Sequence, residues 1–172
     1  MATVYIGSDH AGLELKAALV KRLSEKGHDV HDLGPATTES CDYPVYAKGV
    51  CGKVLADAGN ATPGDEPASF GILVCGTGIG MAMAADKVPG VRAANIINSE
   101  FAALCREHND ANVITLSGRF VPLEENERIL DTFFTTDFGG GRHAGRVERS
   151  WLSTSKGDNR WLWNFSPPKT RR

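Results

Sequence analysis

The feature that most restricts this chain is an alternation, repeated along most of its length, of short apolar runs with stretches whose apolar residues recur at helical spacing. Thr3 to Ser8 reads as a strand, and Leu13, Leu15, Ala17, Leu19, Val20 and Leu23 then mark one broad face of a helix that Gly27 closes. Residues 29–33, 71–74, 91–96 and 112–116 read as further strands, and 45–58, 80–87, 100–107 and 124–135 as the helices between and after them. Five strands interleaved with helices predict an α/β fold: a doubly wound, Rossmann-like parallel sheet flanked by helices. In such a sheet, ligands bind beyond the carboxyl ends of the strands, in loops that begin here at Ser8, Gly34, Cys75, Asn95 and Ser117.

A chain of 172 residues, 41% of them hydrophobic, holds one globular domain with a proper core. We expect that domain over residues 1–155, followed by a C-terminal extension over 156–172. Residues 58–69, rich in Gly, Pro, Asp and Asn, read as a surface loop with no catalytic role. Gly139, Gly140 and Gly141 break the chain before residues 142–149, which can continue as a helix with Arg142, Arg146 and Arg149 on one face. Trp151, Trp161 and Trp163, with Leu162 and Phe165, predict that the tail docks on an apolar surface of its own body or of a second subunit.

A formal charge of −2 gives no global field for nucleic acid or an anionic membrane. The four cysteines, at 41, 51, 75 and 105, form no Cys-x-x-Cys pair, which argues against a structural metal or a disulfide framework and for reduced thiols in the cytoplasm. Nothing reads as a membrane span or a secretory leader.

Chemistry concentrates in residues 70–80, where an apolar strand runs into Cys75 and then three glycines at alternate positions, Gly76, Gly78 and Gly80. A cysteine at the junction of a strand and a helix feels the positive end of the backbone dipole, which favours thiolate over thiol. The amides of Gly76, Thr77, Gly78 and Gly80 are placed to hold a developing oxyanion. On this segment alone, a small buried hydrophobe is the commoner role for such a cysteine. The glycines do not end in the Gly-Lys-Ser/Thr of a P-loop and are out of register for a dinucleotide fingerprint.

Asp9-His10 follows the first strand, Asp42-Tyr43-Pro44 the second and Cys75-Gly-Thr-Gly-Ile-Gly the third; His108-Asn109-Asp110 precedes the fifth strand and Arg119 follows it. In this order and at these intervals, and with Ala84-Ala85-x-Lys87 and Arg-x-His-Asn-Asp, the motifs resemble the ribose-5-phosphate isomerase B family, which includes galactose-6-phosphate isomerase subunits. The resemblance covers roughly residues 3 to 150. It implies a cofactor-free, metal-free aldose-ketose isomerase that interconverts ribose 5-phosphate and ribulose 5-phosphate through a cis-enediolate. By that resemblance Cys75 is the base, and Thr77 with the amides from Gly76 to Gly80 stabilises the enediolate.

The same resemblance makes His108 the group that opens the sugar ring, counts Asp9 with Cys75, Thr77 and His108 among the catalytic residues, and gives His10, Asp42, Tyr43 and Asn109 contacts to substrate. Without it, Asp9 reads as the cap of the following helix and His108 as a helix C-terminal histidine. Arg119, Arg142 and Arg146 match the family's phosphate clamp, together with His10, and in the family the last two arginines come from the neighbouring subunit. A homodimer or dimer of dimers, packed partly through the C-terminal helix and tail, is therefore implied, with the active site at the subunit interface. His143 receives no role here, and Asp86 stands where relatives commonly carry asparagine. Two alternatives stay open: an isomerase of another sugar phosphate (galactose 6-phosphate, allose 6-phosphate or a tetrulose phosphate), and a non-catalytic sugar-phosphate-binding protein.

Overall fold

The structure, a computed structural model, describes the backbone of residues 1–155 and the side chains of 1–150. The expected extension at 156–172 and the side chain of Trp151 lie outside the described residues. The elements run β1 (Thr3–Ser8), α1 (Leu13–Glu25), β2 (Asp29–Asp32), α2 (Tyr43–Ala58), β3 (Ser69–Cys75), α3 (Ile79–Ala85), β4 (Ala93–Asn95), α4 (Ser99–Asn109), β5 (Val113–Ser117), α5 (Leu123–Thr135) and α6 (Ala144–Ser155). The five strands form one sheet in the order β2-β1-β3-β5-β4, with every pair parallel.

The parallel sheet follows from its residues. Alternate side chains of β3 point to opposite faces, so Phe70, Ile72 and Val74 enter one core with Leu15, Leu19 and Leu23 of α1, Cys105 of α4 and Ile129 and Phe133 of α5. Leu73 and Cys75 enter the other with Val50 and Cys51 of α2 and Met81 and Ala85 of α3. Every residue of β3 is buried, as a central strand covered on both sides must be. The sulfur of Cys75 is therefore delivered to the α2/α3 layer by strand periodicity alone.

Two boundaries differ from the sequence reading for local reasons. The α2 helix begins at Tyr43 because Asp42 takes the N-cap position and Pro44, which lacks an amide hydrogen to satisfy, fits the first turn. The last helix begins at Ala144, since Gly140 and Gly141 have positive φ and Gly141–His143 forms a separate 3-10 turn. Arg142 therefore precedes the helix that carries Arg146 and Arg149.

Candidate active site

Strand order reverses between β2-β1 and β3-β5, so the carboxyl ends of β1 and β3 border the crevice expected to bind ligand. At the first of these ends Asp9 is 9% exposed, and its Oδ1 accepts the amides of Ala11 at 2.9 Å and Gly12 at 3.0 Å. It is thus a cap for the turn that follows, the plainer of its two sequence readings. Beside it, Nδ1 of His10 accepts the amide of Cys41 at 3.4 Å, which leaves Nε2 as the nitrogen that carries the proton.

The second end holds Cys75, 6% exposed, whose Sγ accepts the amide of Gly78 at 3.1 Å. That amide, expected from the sequence to serve an oxyanion, is aimed at the sulfur instead, a bond a thiolate accepts more strongly than a thiol. Burial pushes the thiols of Cys51 and Cys105 up to about 12, and Cys105 donates its S–H to the carbonyl of Ala102. Gly78 has φ +81°, and a Cβ there would lie 2.2 Å from Oδ1 of Asn95, so any other residue would strain the turn beside the sulfur and displace that side chain. Thr77 turns its Oγ1 to the amide of Ile79 at 3.2 Å.

Neighbouring loops are fastened to this turn. Gly118 donates to the carbonyl of Cys75 at 2.9 Å, Arg119 to that of Gly76 at 3.2 Å, and the Ser117 hydroxyl to the same Gly76 oxygen at 2.8 Å. The Arg119 side chain passes Gly76, its Cδ 3.4 Å from where a Cβ would stand, and the Tyr43 ring lies over Gly80 at 3.1 to 3.4 Å on the same measure. Asp42 makes no side-chain cap bond, so its carboxylate is not spent on α2. Asp9, His10, Asp42, Tyr43, Cys75 to Gly80 and Arg119 thus lie together at one edge of the sheet.

His108 and Asn109 do not join them. The α4 helix starts next to the carboxyl end of β4 and runs back along the sheet for 11 residues, about 15 Å at 1.5 Å per residue. His108, in its last turn, therefore lies at the amino edge of β5, while Cys75 pairs with Ser117 at the carboxyl edge. There His108 meets the rest of the predicted clamp: its ring stacks on His143, centroids 4.2 Å apart and planes 10° from parallel, and Nε of Arg142 donates to Nε2 of His143 at 3.2 Å. Desolvation, then the charges of His108, Arg142 and Arg146, holds His143 below its ordinary value, against the opposing pull of Glu107.

A cleft of about 600 Å³ opens at this second cluster, lined by His108, Asn109, His143 and Arg146 together with Asp86 and Arg92. Asp86 accepts the amide of Ala93 at 3.0 Å, and burial raises its carboxyl. Sequence reasoning left His143, Arg92 and Asp110 without roles; the adjacency of His143 to Arg142 was the available signal. Among the described residues no three His, Cys, Asp or Glu side chains group as a metal site.

An open α/β sheet with a cysteine in a glycine turn at its switch point, and a basic cluster at its opposite edge, fits the class of α/β proteins that act on small metabolites at the carboxyl ends of their strands. The family model described as Ribose/Galactose Isomerase matches residues 4–149, and the chain belongs to that family. A protein of Mycoplasma pneumoniae named probable ribose-5-phosphate isomerase B is 48% identical over 145 residues, 84% of this chain and 90% of the relative. The Escherichia coli ribose-5-phosphate isomerase B is 41% identical over 148 residues, 86% of this chain and 93% of the relative. The solved structure of ribose-5-phosphate isomerase B from Mycoplasma genitalium with bound ribulose-5-phosphate matches with TM-score 0.82 at 41% identity, over 90% of this chain and 97% of that one.

Proposed function

We infer that this protein is a sugar-phosphate isomerase that interconverts ribose 5-phosphate and ribulose 5-phosphate, with Cys75 as the base. The observation that carries the reading is the cysteine sulfur at the switch point with a backbone N–H aimed at it, in a chain 41 to 48% identical to proteins named for this reaction. In the forward direction the thiolate takes the proton from C2 of the open-chain aldose, and the electron pair moves toward the C1 carbonyl to form a cis-enediolate. A proton passes from the C2 hydroxyl to the C1 oxygen of the enediolate, and the thiol then returns its own proton to C1 as the C2 oxygen becomes the carbonyl. The amides of Gly76, Thr77 and Gly80 and the Thr77 hydroxyl serve the enediolate oxygens, where negative charge develops as the proton leaves, while the Gly78 amide serves the sulfur.

His108 serves this chemistry by opening the sugar ring, and a second copy of the chain supplies it. The placement of His108, Asn109, Arg142 and Arg146 at the sheet edge away from Cys75 supports that view, since strands about 3.3 Å per residue long separate the two groups within one chain. A second support is the rim of exposed apolar residues around the Cys75 edge. Tyr43, Val45, Ile79, Ile97, Phe101, Phe120 and Leu123 are all 38% exposed or more, and they belong to the first turns of α2 to α5 or the loops that precede them. In the resulting assembly Arg119 and His10 of one chain and Arg142 and Arg146 of the other share the phosphate.

All four cysteines are free, as suits a protein of the reducing cytosol, and among the described residues no helix is long and apolar enough to cross a membrane. The test is a panel of aldose and ketose phosphates in heavy water, read by product chromatography and by deuterium incorporation next to the carbonyl. Turnover of ribose 5-phosphate with exchange is the expected result. Preference for a hexose phosphate would move the substrate, and binding without exchange would remove the enzyme.

A further inference from the structure

The loop 58–69 packs its tip against both segments that carry the second half of the site. The amide of Gly64 donates to Oδ2 of Asp110 at 3.0 Å, and a Cβ on Gly64 would stand 3.7 Å and 3.8 Å from two ring carbons of Phe138. Asp110 is the C-cap of α4, two residues after His108, in the left-handed conformation at φ 49°. Its carboxylate is 1% exposed and takes Arg106 Nη1 at 2.9 Å and Arg92 Nη2 at 2.8 Å in addition to Gly64. Its carbonyl accepts Nε of Arg92 at 2.7 Å. Phe138 opens the segment that leads to Arg142 and His143, and the next residue, Gly139, donates to the carbonyl of Glu107 at 2.9 Å, one position before His108.

We propose that Gly64, Asp110 and Phe138 are positioning residues that fix the stacked His108–His143 pair, so that the 58–69 loop, remote from the reacting atoms, sets the rate of the isomerase. The physical case is one of degrees of freedom. The Asp110 network immobilises the end of α4, and Gly139 ties the following segment to it. What remains is the approach of Phe138 to that hub, and the Gly64 tip spans this gap with one hydrogen bond to Asp110 and with its open Cβ side turned to the Phe138 ring. A misplacement of a catalytic group by about 1 Å costs up to about a hundredfold in rate, so a brace of this kind acts on turnover well before it acts on stability. Gly64 has φ +98°, and a side chain there strains the tip while meeting nothing closer than ordinary contact.

The kinetic arm of the test rests on the isomerase reading above; the spectroscopic arm does not. In the full chain, Gly64→Ala and Phe138→Leu are compared with the parent by imidazole ring resonances, by thermal melting, and by kcat and KM for ribose 5-phosphate. The expected result is displaced His108 and His143 resonances in both variants and a kcat/KM lowered about tenfold, with the melting temperature of Gly64→Ala close to that of the parent. Unchanged ring resonances in Gly64→Ala overturn the brace whatever the substrate proves to be. A loss of kcat/KM that only tracks a fall in melting temperature, with the rings in place, overturns it as well.

Discussion

The two edges of this sheet are built by opposite means. At the Cys75 edge nearly everything is backbone: amides reach the sulfur and the carbonyls of Cys75 and Gly76, and glycines let Arg119 and Tyr43 pass within contact distance. At the His108 edge the work is done by side chains: a buried aspartate gathers two arginines, two imidazoles stack, and an arginine donates to the second of them. Backbone positions cannot be mutated away and hold the reacting atom to a fraction of an ångström. Side-chain constellations adapt, which suits a surface that must grip a charged group carried on another molecule. Under the proposed function, proton abstraction falls to the edge built of backbone, and the two edges share the phosphate.

The largest effect that separates the edges is expected from Cys75→Ala, which should lower kcat by about a thousandfold or more while phosphate still binds, since general-base catalysis contributes about a hundred- to ten-thousandfold. Isotope exchange at C2 and inorganic phosphate titration read the two halves of that statement. His108→Ala should also be nearly inactive. Mixing it with Cys75→Ala under conditions that exchange subunits should restore about a quarter of the parent activity, because half the dimers are mixed and each mixed dimer has one intact site. No recovery would place both residues in the site of one chain and erase the comparison.

Arg146→Ala should raise KM by about tenfold or more with kcat far less affected, the loss of one charge-assisted contact. The smallest effect is a pH dependence away from both edges. Burial, the nearby N-terminal amine and Lys26 hold His28 below the ordinary histidine value, while a backbone bond to Ala2 opposes them. Its depressed value means that the unfolded chain takes up this proton first, so the stability present above about pH 6.5 is lost as pH falls below it. Melting curves from pH 5 to 8 should show that slope in the parent and a shallower one in His28→Gln.

Much of this was legible because strand and helix periods are local. The β3 run of Phe70, Ile72 and Val74 against Leu73 and Cys75 states which layer receives the sulfur, and Asp42 and Pro44 together announce the start of α2. The separation of His108 from Cys75 was less so, since it depends on the order in which strands lie side by side and on the direction of α4, neither of which any short window contains. Asp110, visible in its motif, received no role for the same reason: its partners are Gly64 and Arg92 as well as the nearby Arg106. A residue with charged partners far along the chain looks, in sequence, like any acid at the end of a helix.

The alternation of β3 has a consequence for how this chain can vary. Removing or adding one residue between Ser69 and Cys75 would turn the sulfur toward the layer formed by α1, α4 and α5, among leucines and phenylalanines, with every side chain in the sequence kept. Point changes in that strand are graded in their harm; a change in its length is all or nothing.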